Sequence, residues 1–255
     1  MNFSAAGLSD VGLQREINED SYCILPEHRL FVVADGMGGH RAGDVASQMA
    51  THTIATFFQA TAAEDATWPF TFDPNLSVDE NRLVTGIKLA NKKIFEASVQ
   101  HQEVHGMGTT VVGALYSHDR DRMYFAHVGD SRAYRLRDGE ITQLTRDHSL
   151  VNDYLAVMPD MSDEQKSELP TNVITRALGM QEVVAVDLIP DEPQLGDWYL
   201  LCSDGLSGMV SDEDIQRIVA DAEGDPEKAT ADLVARANEN GGEDNVTVVI
   251  LRFTE

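Results

Sequence analysis

The sequence predicts an α+β fold, a four-layer α-β-β-α sandwich in which two packed, mainly antiparallel sheets are flanked by helix pairs and a surface flap covers about residues 149–172. Three observations predict it. Strand-like runs fall in two blocks, a pair of helical patterns follows each block, and short turn signals such as Asp138-Gly139 join neighbouring strands in the antiparallel manner.

Taken in order, the first strands are expected over Ala6–Leu13, Ser21–Leu25 and Leu30–Ala34, the last ending in Asp35-Gly36. Helices are expected over His40–Phe58, which carries apolar residues at Val45, Met49, Ile54 and Phe57-Phe58, and over Val84–Val99, where Ile87, Ile94 and Phe95 recur at roughly helical intervals. The polar stretch Ala62–Glu80 between them reads as a variable loop pinned by Trp68, Phe70 and Phe72. The pattern then shifts to period two over Thr109–Tyr116, Met123–Val128, Arg132–Leu136 and Ile141–Leu144, which reads as one antiparallel meander. The polar segment Ser149–Asn172, with Pro159 and Pro170, interrupts it as the flap, and strands resume at Val183–Ile189 and Trp198–Cys202. A second helix pair follows at Ser211–Ala222, with Ser211 as N-cap, and at Pro226–Asn238, with Pro226 in its first turn. Val246–Phe253 closes the chain as a buried strand, and the whole of 1–255 reads as a single domain.

With 255 residues and 42% apolar content the chain can bury a large core without covalent staples. A formal net charge of −24, with 19 scattered Lys and Arg, argues against nucleic acid as a partner, because phosphate neutralisation needs clustered cations. The two cysteines, Cys23 and Cys202, lie inside apolar runs and read as free buried thiols of a reducing compartment, so a cytoplasmic location is expected. No apolar run is long enough to cross a bilayer, so no membrane insertion is expected, and a monomer is the expected state.

Acidic residues stand at the ends of short apolar runs in four separate places: Asn18-Glu19-Asp20, Asp35-Gly36-Met37-Gly38-Gly39, Ser203-Asp204-Gly205 and Glu243-Asp244-Asn245. Carboxylates gathered at strand ends can form a site for hard divalent cations, which prefer oxygen ligands. Together with Arg15, His40, Gly108-Thr109-Thr110, Gly129-Asp130-Ser131-Arg132, Asp147-His148 and Thr175-Arg176-Ala177-Leu178-Gly179, these pieces follow one another in an order that resembles the metal-dependent protein phosphatases of type 2C, in their bacterial form. The resemblance spans essentially the whole chain.

That resemblance implies hydrolysis of phosphoserine and phosphothreonine in proteins, opposing a bacterial Ser/Thr kinase and acting on its substrates, with Mn²⁺ or Mg²⁺ as cofactor. By similarity, Asp35 would bridge two tightly bound ions, Asp204 and Asp244 would hold the first, and Glu19 with the Gly36 carbonyl would hold the second. Asp130, with Asp204, matches a weaker third site; Asp20 and Asn245 would support the ligands from behind, and Arg15 matches the phosphate-binding arginine. The ions would neutralise phosphoryl oxygens and acidify a water that attacks phosphorus in one step. A planar guanidinium can grip two phosphoryl oxygens, which Lys cannot. Carboxylates 4 Å apart repel by about 1 kcal/mol per pair even in bulk water, so cations should stabilise such a cluster.

One departure stands out. Met37 occupies the place where the eukaryotic branch has a histidine after Asp-Gly, a candidate general acid for the leaving alkoxide. His40 is near enough in sequence to take that role, and ion-bound water is the rival donor. Asp147, His148 and Arg176 read as structural. Other motifs fail on spacing: Gly36–Gly39 lacks the dinucleotide pattern, His101–His105 has its Glu one place late for a zinc helix, and Asp73–Asp79 lacks the calcium-loop glycine and terminal glutamate. Gly205-Leu206-Ser207-Gly208 is no nucleophile elbow. The alternatives are a catalytically silent phosphoprotein-binding regulator, which should have lost metal carboxylates that this chain keeps, and a two-metal hydrolase of small phosphoesters.

Overall fold

Elements follow the order β1 (Asn2–Asp10), β2 (Asp20–Leu25), β3 (Leu30–Met37), α1 (Ala42–Ala60), α2 (Val78–Gln100), β4 (Gly108–Thr109), β5 (Val111–Ser117), β6 (Arg122–Val128), β7 (Arg132–Arg137), β8 (Glu140–Gln143) and α3 (Leu150–Val157). Then come β9 (Asp187–Asp191), β10 (Trp198–Cys202), α4 (Asp204–Ser207), α5 (Asp212–Asp221), α6 (Pro226–Glu239) and β11 (Val246–Thr254). The computed structural model describes residues 1–38, 42–62, 68–159, 161–162, 165, 169–170 and 173–255. One sheet has the order β1-β11-β10-β7-β8 and the other β2-β3-β5-β6-β9, with β4 on the end of β3. The strand pairs are antiparallel.

Period-two alternation along these strands sorts the apolar residues into three layers of core. On β3, Leu30, Val32 and Ala34 face α1 and α2, where they meet Ala46, Ala50, Ile54, Phe58, Ile87 and Ile94. Phe31 and Val33 face the other way, into a layer between the sheets shared with Phe125, Tyr199, Leu201, Val249, Leu251 and Phe253. The alternate residues of β10 and β11, Leu200, Cys202, Val246, Val248 and Ile250, pack under Ile215, Val219, Leu233 and Ala237 of α5 and α6. Helix, sheet, sheet and helix therefore stack as the sequence predicts. The consequence for function lies in the parity: 31, 33 and 35 share the inter-sheet face of β3, which puts Asp35 at the open edge of that layer.

Several boundaries differ from expectation for local reasons. α2 begins at Val78, inside the stretch read as loop, because Ser77 and Glu80 form a reciprocal capping box: Glu80 N donates to Ser77 Oγ at 3.2 Å and Ser77 N to Glu80 Oε2 at 2.8 Å. The aromatic pin is Trp68, packed edge-on against Phe57 and Phe72 at centroid distances of 6.1 and 5.5 Å. β1 starts at Asn2 rather than Ala6, because its full length pairs with β11 from Asn2↔Thr254 to Asp10↔Val246. The expected meander is split. β5 and β6 belong to one sheet and β7 and β8 to the other, and the chain crosses over at Gly129–Ser131, where Gly129 takes a φ of +107°. The Asp138-Gly139 turn is present, with φ of 52° and 77° as a two-residue hairpin of the primed type requires. Within the expected flap, α3 covers Leu150–Val157, and 160, 163–164, 166–168 and 171–172 lie outside the described residues. So does His40.

Cys202 is buried and Cys23 half-buried, both are free, and burial pushes both thiols up to about 12. Among the described residues no helix is long and apolar enough to cross a membrane. Phe125 is fully buried between the sheets, with its ring 5.4 Å from that of Tyr199. Phe125→Ala should therefore lower stability by about 3–5 kcal/mol in urea unfolding, and a loss below about 1 kcal/mol would contradict a tightly packed inter-sheet layer.

Candidate functional site

The open edge of the inter-sheet layer collects carboxylates from distant parts of the chain. Asp20, the first residue of β2, pairs across the ladder with Asp35 on β3. Asp204 opens α4 directly after β10, and Asp244 immediately precedes Asn245 and β11. Asp130 sits in the crossover between β6 and β7. Glu19 comes from the turn before β2 and reaches the start of α1, where its Oε1 accepts from Gly43 N at 3.2 Å.

Electrostatics record how closely these groups are held. Asp35 is raised well above the ordinary carboxylate range, first by burial and then by Asp20, Asp204, Asp130 and Asp244. Burial also pushes Asp20 up to about 7, against the hydroxyls of Ser203 and Thr247, which favour its ionised form. Asp130 is pushed up to about 6 by burial, Asp204 and Asp147. Asp204 is an exposed residue whose carboxyl lies within hydrogen-bond reach of Asp35; desolvation and Asp244 raise it. Glu19 is raised by burial.

The surrounding backbone is packed to make this approach possible. A Cβ on Gly36 would come within 2.1 Å of Gly43 O and 2.5 Å of Glu19 O, and a Cβ on Gly205 within 2.0 Å of Asn245 O. Neither position admits a side chain. Asn245 is buried and ties three segments together: its Oδ1 accepts from Glu19 N at 2.7 Å, while its Nδ2 donates to Val11 O at 2.9 Å and Ile17 O at 3.0 Å. Thr110 locks the Asp35 backbone from the other side, donating N–H to Asp35 O at 2.8 Å and accepting Asp35 N at Oγ1 at 3.2 Å.

The donor set fits hard divalent cations. It consists of carboxylate and carbonyl oxygens, and two buried oxygens of the cluster, Asp20 Oδ1 and Asp130 Oδ1, have no hydrogen-bond partner among the described residues. Arg15 stands at the rim, half exposed, with Nη2 donating to Asp244 Oδ2 at 2.7 Å. All the acidic residues expected from the sequence, with Gly36, Asn245 and Arg15, are thus brought together. Met37 ends β3 opposite Gly108, and its thioether offers no proton to a leaving group. Three supporting groups escaped the sequence reading: Ser203, whose Oγ donates to Asp20 Oδ2 at 2.7 Å, Gly43 and Thr110. Ser203 and Thr110 lie inside the motifs Ser203-Asp204-Gly205 and Gly108-Thr109-Thr110, but their roles arise only from pairing distant segments.

Comparison with known proteins agrees with this fold. The family model for protein phosphatase 2C matches residues 14–241. The serine/threonine phosphatase stp of Listeria monocytogenes is 36% identical over 251 residues, covering 95% of this chain and 93% of that protein. Among solved structures, the catalytic domain of the serine threonine protein phosphatase PstP in complex with two manganese ions matches with a TM-score of 0.82 at 36% identity, covering 99% of each chain. Stp1 of Staphylococcus aureus matches with a TM-score of 0.85 at 33% identity, covering 100% of this chain and 96% of that one. The chain belongs to the protein phosphatase 2C family.

Proposed function

We propose that residues 1–255 act as one phosphatase unit that removes phosphate from phosphoserine and phosphothreonine in proteins, and that the acidic cluster at the sandwich edge holds its divalent ions. The activity is that of a metal-dependent protein serine/threonine phosphatase. The observation that carries the residue assignment is the convergence of Glu19, Asp35, Asp204 and Asp244 around two orphaned buried oxygens. Asp35, Asp204 and Asp244 would hold one ion, Asp35, Glu19 and the Gly36 carbonyl a second, and Asp130 with Asp204 a weaker third. Mn²⁺ or Mg²⁺ bound there would supply positive charge for the phosphoryl oxygens and lower the pKa of water. The manganese complex of the related PstP supports the choice of cation.

The chain's own residues divide the remaining work. Arg15, on the rim beside Asp244, is placed to grip phosphoryl oxygens with two N–H groups. Asp20 and Asn245 brace the ligands, one by its cross-strand position and one by three hydrogen bonds. A cleft of about 430 Å³, lined by Met37, Thr175, Arg176, Met180 and Val183 among others, opens beside the end of β3 and can receive residues flanking a phosphorylated side chain. That cleft favours a protein substrate over a small phosphoester. The free thiols support a reducing, cytoplasmic location, and phosphoproteins of a Ser/Thr kinase pathway are the expected partners. A silent phosphoprotein-binding regulator fits less well, because the complete carboxylate set is retained.

Three outcomes test the assignment. Asp35→Asn should abolish hydrolysis of a phosphothreonine peptide and of p-nitrophenyl phosphate and weaken Mn²⁺ binding in calorimetry; retained turnover with normal metal content would sink it. Arg15→Ala should raise KM for the peptide by roughly tenfold, as loss of a charge-assisted hydrogen-bond pair implies, with a smaller fall in kcat. An unchanged KM would make Arg15 structural.

The third outcome concerns pH. Asp20 and Asp130 have folded pKa values raised to about 7 and about 6, above the unfolded carboxylate value near 4. Their protonated forms are favoured in the fold, so the stability they contribute is present below pH 4 and is lost as pH rises through 6 to 7. Between pH 5 and 7.5 these groups should therefore make chelator-stripped protein progressively less heat-stable. Saturating Mn²⁺, which binds the ionised forms, should raise Tm at pH 7.5 by about 5–10 °C and by less at pH 5.5. A manganese shift that grows toward low pH would contradict the cluster as the binding site.

A further inference from the structure

Behind Asp130 lies a group that the proposed chemistry does not use: the buried His127 and His148 with the exposed Asp187. His127, near the end of β6, is the cross-strand partner of Asp187 on β9, and its ring stacks on that of His148 with centroids 4.6 Å apart and planes 6° from parallel. One potential ligand atom from each of the three lies within 4.8 Å of the others, which invites a reading as a metal site. Proton placement argues against it. Gly129 N–H donates to His148 Nδ1 at 3.0 Å, so that nitrogen presents its lone pair and the neutral ring carries its proton on Nε2, which lies 3.3 Å from Asp187 Oδ2. An ion on Nε2 would require an imidazolate. Rings this close to parallel also cannot both aim their in-plane lone pairs at one ion about 2 Å away.

The same contacts describe a clamp. His148 holds Gly129 twice, through Nδ1 and through its own N–H, which donates to Gly129 O at 3.0 Å. Its carbonyl accepts from Thr175 N at 2.8 Å, and Ser149 bridges to Ile174, so His148 belongs to the paired stem at the two ends of the 149–172 segment. Asp187 accepts from Arg176 Nη1 at 2.6 Å and so fixes the far side of that stem. On the opposite side, Gly129 leaves no room for a Cβ, which would meet Thr110 Cβ and Cγ2 at 2.6 Å. Thr110 Oγ1 lies 2.6 Å from Ser131 Oγ and Thr110 N bonds Asp35 O. The crossover Gly129-Asp130-Ser131 is thereby gripped between the Asp35 strand and the stem.

We infer that His148 is a positioning residue: by holding Gly129 it aims the Asp130 carboxylate into the acidic cluster and ties that carboxylate to the stem of the 149–172 segment. The inference rests on the reading of Asp130 as a ligand of the weaker cation site. Burial holds both imidazoles below their ordinary range, in keeping with neutral rings acting as acceptors and donors rather than as charges.

The test is a calorimetric Mn²⁺ titration of the full chain after chelator treatment, comparing wild type with H148N, H148Q and D130A. Asn carries an acceptor on Cγ, where His has Nδ1, whereas Gln moves its amide one carbon further from Gly129. H148N should keep the weak site within about threefold of wild type. H148Q should weaken it about tenfold, toward D130A, the size typical when a group supporting a metal ligand is removed. In H148Q the tight sites should stay within about twofold, and the Mg²⁺ concentration giving half-maximal p-nitrophenyl phosphate hydrolysis should rise in parallel. Equal weak-site affinity in H148N and H148Q, or loss of a tightly bound ion in either, would overturn the inference. Absence of a weak site in wild type would overturn it too, whether or not the protein hydrolyses the ester; failure of hydrolysis alone would count against the phosphatase reading and leave the calorimetric comparison intact.

Discussion

Like charges forced together at the edge of a hydrophobic layer are the constraint on which the rest of the structure depends. Asp35 lies on the same face of β3 as Phe31 and Val33, so the strand that builds the inter-sheet core also delivers a carboxylate to its rim. Asp20 arrives beside it by ladder pairing, and Asp204 and Asp244 arrive because β10 and β11 are neighbours whose loops meet at that end. Desolvation first, and mutual repulsion after it, raise Asp35, Asp20 and Asp130 together. Packing elsewhere must sustain this strain, and divalent cations bound among these carboxylates would relieve it. Apolar layers fix where the carboxylates stand, and the carboxylates would make cation binding favourable.

Fixing them takes groups that carry no charge. Gly36 and Gly205 let backbone approach backbone more closely than any side chain would permit. Asn245 gathers the turn before β2 and the end of the β1 loop onto the start of β11, and Thr110 with Ser131 gathers β3, β5 and the crossover. These are short, satisfied, buried contacts, the kind that hold geometry while contributing little net stability individually. Their removal is expected to disturb metal affinity before it disturbs folding.

What the sequence made legible follows from which signals are local. The short apolar runs Leu30–Ala34, Met123–Val128 and Trp198–Cys202, and capping at Ser211, depend on near neighbours, and these elements appear where expected. The ordered series of Asp, Asn and Gly motifs carried the site, because each motif keeps its own strand end or turn. The meander failed because period two says nothing about which sheet a strand joins; the crossover depends on Gly129 packing against Thr110, a contact between segments 19 residues apart. The start of α2 at Val78 was missed because a polar, Pro-containing approach concealed the reciprocal pair Ser77 and Glu80. Ser203 and Gly43 gained their roles only when β2 met β10 and α1.

The net charge of −24 adds a requirement that the site itself must meet. A phosphorylated substrate is anionic, so long-range attraction cannot draw it in, and at physiological ionic strength exposed charges act over only about 8 Å. Recognition would then come from short-range features at the rim: cations held in the cluster, Arg15 beside Asp244, and the cleft near Met37 and Arg176. Each of these is only useful when the acidic cluster is neutralised, since an unshielded cluster would repel the phosphoryl group and keep Arg15 engaged with Asp244. If the acidic cluster holds the cations as proposed, cation binding and substrate binding are linked in free energy, and a residue that fixes one of its carboxylates, Asn245 for Glu19 or His148 for Asp130, would influence substrate affinity without touching the substrate.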